Sequence, residues 1–178
     1  MNLLIFVRQM AQYNVWMNGR VFSAAALLPP EELSKDRSAF FSSILGTLNH
    51  LVVADTIWLK RFAQHTSMPA SLVAVSELLA PERLDQVLFD ELGALRDRRE
   101  MLDKAIAAWS KELTEADLDS SLQYANMKGV VSTRRLGDLA MHFFNHQTHH
   151  RGQATALLTQ AGQDVGVTDL LAILPSDA

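Results

Sequence analysis

Apolar residues recur at the i, i+3, i+4, i+7 spacing of an α-helix through four long segments of this chain, which makes a helical bundle its natural fold. The first segment runs from about Leu3 to Leu28 without an internal proline and stops at Pro29-Pro30, where the backbone amide that a helix needs is missing. Glu31 to Asp36 reads as a polar connection. Ser38 is placed to cap a second helix reaching Gln64, with Phe41, Ile44, Leu45, Leu48, Val52, Trp58, Leu59 and Phe62 on its apolar face. His65 to Pro81 reads as a long loop with a helical turn at Glu77-Leu78-Leu79, and His65 is expected to be exposed. A third helix is expected from Glu82 to Lys111, turning Leu84, Val87, Leu88, Leu92, Leu95, Met101, Leu102, Ile106 and Trp109 inward. Arg96, Arg98 and Arg99 alternate with Asp97, Glu100 and Asp103, which reads as a solvated helix face. Thr114 to Asp117 has the spacing of a capped turn. Leu122 to Ala125 and Val130 to Thr133 flank Asn126-Met127-Lys128-Gly129 as a short β-hairpin. Ser132 or Thr133 then starts the fourth helix, which ends at Gln160 before Gly162. Leu170 to Leu174 reads as a short C-terminal helix folded back on the rest. The expectation is an all-α fold: a four-helix bundle with a long crossover connection, a short β-hairpin before the last long helix and a short C-terminal helix. Residues 1–178 form one domain in this reading.

Composition narrows the chemistry. The chain has no cysteine, so disulfides, thiolate metal ligands and a cysteine nucleophile are excluded, and any metal must be held by nitrogen and oxygen. The net charge of −4 and the absence of a basic stripe argue against nucleic acid. No apolar run approaches the ~20 residues of a membrane span. The N-terminus lacks the basic start and small-residue cleavage site of a signal peptide, so the chain is expected to stay in the cytoplasm.

Four of the six histidines fall in one short stretch, His142-Phe-Phe-Asn-His146-Gln-Thr-His149-His150, within the fourth helical segment. His146 and His150 are four apart and share a helix face, where two imidazoles can close on one transition-metal ion. A bundle builds such a site from facing helices, which directs attention to His50 in the middle of the second helix. A histidine among leucines and valines needs partners for its ring nitrogens, and a metal satisfies one of them. Three histidines with an open position form a catalytic arrangement, whereas a structural zinc site is closed. His142 lies one turn before His146, where it can line a pocket or hydrogen-bond beside the ligands. His149 points elsewhere and reads as a surface or dimer-edge residue. Asn49 and Asn145 are expected to bond between helices. Arg151 either anchors an anionic substrate or pairs with a carboxylate such as Asp55. Asn14 and Asn18 share a face of helix 1 and can look toward the metal pocket. Trp16 reads as core or dimer surface.

Leu48-Asn-His50-Leu followed by Trp58 and Arg61, the His146-x3-His150-Arg-Gly-Gln153 signature, and Tyr13-Asn14-x-Trp16-x-Asn18 together resemble the DinB family of YfiT-like metalloenzymes, across nearly the whole chain. The resemblance implies a metal-binding bundle, usually a homodimer, with one divalent ion (zinc or nickel) on His50, His146 and His150. It also implies a low-molecular-weight thiol as cosubstrate, since related members with known chemistry are thiol-dependent transferases and isomerases. The family name records a damage-inducible gene and implies no DNA binding.

The chemistry that follows is activation of a thiol or of water at the three-histidine ion, acting on a small-molecule substrate. The thiol cannot come from the chain itself, and there is no His-Glu-x-x-His for zincin-type proteolysis. Two alternatives stand beside this thiol S-transferase-like reading. One is a metal-dependent hydrolase. The other is a non-catalytic, stress-associated bundle that binds a metal or small ligand. The sequence leaves the catalytic residues unassigned.

Overall fold

The computed structural model describes residues 2–176. In chain order it contains α1 (Leu3–Ala25), α2 (Pro30–Ser34), α3 (Ile44–Phe62), a 3₁₀ turn (Ala70–Leu72) running into α4 (Val73–Ser76), and α5 (Leu92–Glu112). There follow α6 (Glu115–Asp119), strands β1 (Ser121–Ala125) and β2 (Val131–Arg135), α7 (Leu136–Gln160) and a 3₁₀ turn at Leu170–Ile173. Helix α1 packs on α5 and α7, and α3 packs on the same two, so α1 and α3 occupy one diagonal of a four-helix bundle. The strands pair antiparallel, from Ser121 opposite Arg135 to Ala125 opposite Val131, as a hairpin that enters α7. None of the described helices is long and apolar enough to cross a membrane.

The four long helices stand where periodicity placed them, but several ends move for local reasons. The stretch after Pro29 is not a polar connection: Pro30 opens the short helix α2, with Glu31 and Glu32 in its first turn facing the positive end of the dipole. Ser43, not Ser38, caps α3 by accepting from the Gly46 amide at 3.0 Å. Ser38 adopts φ 54° in the loop before it. Gly46 is required here, because a Cβ at that position would lie 2.1 Å from the Phe41 carbonyl oxygen. The helical turn expected at 77–79 forms earlier, at residues 73–76. Helix α5 starts at Leu92, ten residues later than Glu82, and Leu84 and Val87 are more than half exposed. The cause is Asn49 on α3, whose Oδ1 accepts from the amides of Leu88 (2.8 Å) and Phe89 (3.0 Å) while its Nδ2 donates to the Phe89 carbonyl (2.9 Å). A side chain that satisfies those backbone groups competes directly with helix formation. Ser132 and Thr133 lie in β2 and not at a cap, so α7 begins at Leu136, whose amide donates to the Ser120 carbonyl at 2.8 Å.

Two kinds of contact hold the bundle. An aromatic cluster joins three helices: Phe62 stacks on Trp109 at 4.8 Å, and Phe143 meets both rings edge-on. Each such side chain, fully buried, contributes roughly 1.5–3 kcal/mol. At the centre lies a buried ionic network fed by all four long helices. Arg99 on α5 pairs with Asp55 on α3 and with Asp103 one turn along its own helix. Asn14 and Asn18 of α1 donate to Asp103 at 2.8 and 2.9 Å, and Gln147 of α7 donates to Asp55 at 2.7 Å. Arg151 of α7 donates to the Asn14 side-chain oxygen. The solvated face expected around Arg99 and Asp103 is thus interior, with Arg99 only 1% exposed. Burial pushes Asp103 up to about 6 against the pull of Arg99, and pushes Asp55 up as well. Burial works against the Arg99 charge, but Asp103 and Asp55 together hold its pKa above the ordinary value.

Removing one partner from such a network leaves a bare charge in the interior, at a cost of about 3–5 kcal/mol. Arg99→Met therefore lowers the unfolding free energy by an amount of that order, read in urea unfolding as a fall in the midpoint. An Arg99→Met protein with an unchanged midpoint contradicts this account of the core.

Candidate metal centre

His50 sits in the middle of α3, and His146 and His150 sit one turn apart on the facing stretch of α7. Each of the three rings offers a nitrogen, and these nitrogens lie within 4.8 Å of one another. His50 Nε2 faces His150 Nε2 at 3.2 Å. The other nitrogens of these two rings are committed. His50 Nδ1 lies 2.8 Å from the Leu84 carbonyl oxygen, and His150 Nδ1 lies 2.8 Å from Gln153 Oε1. Phe41 stacks on the His50 ring at 3.9 Å and 18°, and meets His150 edge-on. The Phe41 carbonyl lies against Gly46, one turn before His50.

These contacts decide the tautomers. A carbonyl oxygen only accepts, so His50 Nδ1 must carry a hydrogen, and Gln153 Oε1 asks the same of His150. In the neutral rings both Nε2 atoms are then bare lone pairs pointed at each other. Burial lowers the His50 pKa to about 4, with a counter-pull from the Leu84 carbonyl and a further push from His150. Burial and the neighbouring His150, His50 and His142 lower His146 to about 3, and burial lowers His150 too. At neutral pH no proton relieves the facing pair. A cation between them does, and a tetrahedral ion with Zn–N bonds of ~2.0–2.1 Å places two ligand nitrogens about 3.3 Å apart. The donor set is neutral imidazole, which suits late first-row divalent ions.

Around the cluster, the segment of residues 84–89 works as a strap. Asn49 ties it to α3, and its Leu84 carbonyl fixes the His50 ring. A cavity of about 420 Å³ opens beside His50 and His146, walled by Trp58, Arg61 and Leu84, with His142 and the hairpin tip at its edge. The tip is set by Gly129 at φ 77° and by Asn126 Oδ1, which accepts from the Lys128 and Val130 amides. His142 meets Trp58 edge-on at 5.1 Å, and burial followed by the Arg61 charge lowers its pKa. Asn14 and Arg151 are instead buried together in the ionic network, away from this cavity, and Arg151 meets Asn14 and Thr148 where a pairing with Asp55 was one expectation. Burial lowers the Arg151 pKa to about 10 despite the Asp55 charge. His149 is exposed, as is Asn145. His65, expected in solvent, is 3% exposed and lies 2.7 Å from both Ser67 Oγ and Ser120 Oγ. It binds the loop after α3 to the end of α6.

Three histidines converging from two facing helices make this a helical bundle with a donor set able to hold one metal ion. The DinB family model matches residues 1–176, and the chain belongs to that family. It is 29% identical over 164 residues to the protein DinB of Bacillus subtilis strain 168, covering 92% of this chain and 91% of that one. A solved structure of a DinB-like protein from Bacillus cereus ATCC 10987 superposes with a TM-score of 0.55, covering 89% of this chain and 94% of that one. At 23% identity that likeness shows the fold alone.

Sequence reasoning missed Phe41, Leu84 and the strap-tying role of Asn49. Helical spacing puts Phe41 on the second helix and Leu84 on the third, whereas Phe41 lies outside α3 and Leu84 joins the site through a loop. If the strap fixes His50, Asn49→Ala frees the Leu84 carbonyl and lowers zinc affinity by about 10–100-fold, the usual effect of losing a ligand's orienting partner. Competition against a chromophoric chelator reads this. Unchanged affinity in a folded Asn49→Ala protein contradicts the strap's role.

Proposed function

We propose that this protein is a metal-dependent enzyme in which His50, His146 and His150 hold one divalent ion, zinc or nickel, and activate an external thiol or water toward a small-molecule substrate. The observation that carries the reading is the facing His50 and His150 Nε2 pair, 3.2 Å apart with both Nδ1 atoms engaged. A divalent ion in that position lowers the pKa of a bound water or thiol so that the nucleophile exists at neutral pH.

The chain's own residues supply the rest. Phe41 covers one side of His50 and keeps bulk water from that ring. The Leu84 carbonyl and Gln153 hold the two Nδ1 hydrogens, which keeps both Nε2 lone pairs directed inward. The cavity beside His146 gives a substrate access to one side of the cluster, which favours turnover over storage of an ion. With no cysteine in the chain, the thiol must diffuse in. Among the described residues no aspartate or glutamate lines the cavity beside the histidines, which leaves water without a ready carboxylate base and favours thiol transfer over hydrolysis. Pairing into a homodimer and a cytoplasmic location belong to the same reading and rest on family membership alone.

The test is a screen of zinc- and nickel-loaded protein for consumption of low-molecular-weight thiols against electrophilic small molecules. Thiol-dependent turnover is expected in the wild type, with a loss of at least about a hundredfold in His146→Ala, since removal of a ligand dismantles the site. Turnover that survives in His146→Ala contradicts the proposal. Metal binding without any turnover supports the non-catalytic alternative.

A further inference from the structure

The cavity beside the histidines carries a charge pattern at odds with the whole chain. The protein has a net charge of −4, yet among the described residues the formally charged side chains lining this cavity are Arg61 and Lys128. Arg61 projects from the last turn of α3 and is half-buried. Its guanidinium carbon lies 4.6 Å from the Trp58 ring centre and 5.2 Å from that of Tyr124 on β1. Unlike the interior Arg99, it takes part in none of the ion pairs among the described residues.

A partly desolvated guanidinium without an anion is costly, and burial accordingly lowers its pKa. Aromatic contacts of this kind hold the cation but use the ring faces, so the N–H donors of its fork stay free for a planar or tetrahedral oxyanion. Those donors have a route to the metal centre. Trp58 contacts His142, and His142 lies 6.0 Å from His146, centre to centre. Apart from Asn126 at the hairpin tip, the wall between these groups is apolar, with Ala54, Ile57, Trp58, Leu84 and Met127. One end of the cavity therefore suits an oxyanion, the middle an apolar body, and the other end the atoms presented to the histidines.

We infer that Arg61 is the specificity-determining residue of this site, and that the substrate is a small molecule with an apolar body and an anionic head, carboxylate or phosphate, docked on its guanidinium. Lys128 at the hairpin tip adds a second positive charge at the mouth. The inference rests on the reading of this cavity as the substrate side of the metal centre, but its anion preference belongs to the chain and not to the ion.

Binding to the metal-free full-length protein therefore tests it separately. Benzoate, phenyl phosphate and the neutral isostere benzamide are titrated and followed by NMR, and the zinc content of a parallel sample is measured. In the wild type at least one of the two anions binds about tenfold or more tightly than benzamide, as one charge-assisted interaction predicts. The tighter of the two identifies the head group as carboxylate or phosphate. Arg61→Met, which keeps an apolar stem against Trp58, brings the ratio close to one, and Arg61→Lys restores part of it. If benzamide equals both anions in the wild type, or if a folded Arg61→Met protein keeps the preference, the inference is overturned and Arg61 is a staple between the hairpin and α3. The wild-type comparison stands even if Arg61→Met does not fold. Anion preference in a protein that takes up no zinc overturns the metal reading alone. One zinc per chain with no anion preference overturns this inference alone.

Discussion

The buried Asp55–Arg99–Asp103 network is the constraint on which the rest of the bundle depends. It draws Asp55 from α3, Arg99 and Asp103 from α5, Asn14 and Asn18 from α1, and Gln147 and Arg151 from α7. Apolar surfaces pack in many registers, but a charge in the interior tolerates only the register that pairs it. That register has a consequence at the metal centre. Asp55 is five residues beyond His50, and Gln147 and Arg151 each follow one of the α7 histidines. The Asp55–Gln147 hydrogen bond thus sets the level at which α3 and α7 meet, and with it the 3.2 Å approach of His50 and His150.

The same arrangement explains why three histidines tolerate burial beside one another. Each is pushed toward the neutral form, most strongly by burial and further by its neighbours. Neutral rings with Nδ1 hydrogens held by Leu84 and Gln153 have their basic nitrogens aimed at a common point. A packing histidine needs its second nitrogen satisfied by a donor. For the His50–His150 pair in these tautomers the facing group is another lone pair, the arrangement that a shared cation would complete.

Much of this was legible in the sequence, and the part that was not has a physical cause. His146 and His150 lie on one helix at i, i+4 spacing, and His50 stands out as polar on an apolar helix, so the three could be grouped without a structure. The long helices were legible because burial imposes their periodicity. The first turns were not: Asn49 stops α5 from extending back to Glu82 by taking the amides of Leu88 and Phe89, a competition between residues some forty positions apart. Arg99 was hidden by its charged neighbours Arg96, Arg98 and Glu100. The signal was there in its spacing, since Arg99 shares the stripe of Leu95, Leu102 and Ile106, all buried. Arg61 stood out only as part of the family resemblance, and its role was not legible, because its neighbours Trp58 and Tyr124 come together only when the hairpin folds onto α3.

The most direct test of the metal centre is X-ray absorption at the zinc edge on protein loaded with one equivalent of zinc, beside a His50→Ala/His146→Ala/His150→Ala protein. The account predicts three imidazole nitrogens at about 2.0–2.1 Å in the wild type, and no bound zinc in the triple variant. An ion coordinated by oxygen alone, or the same spectrum from both proteins, would contradict it.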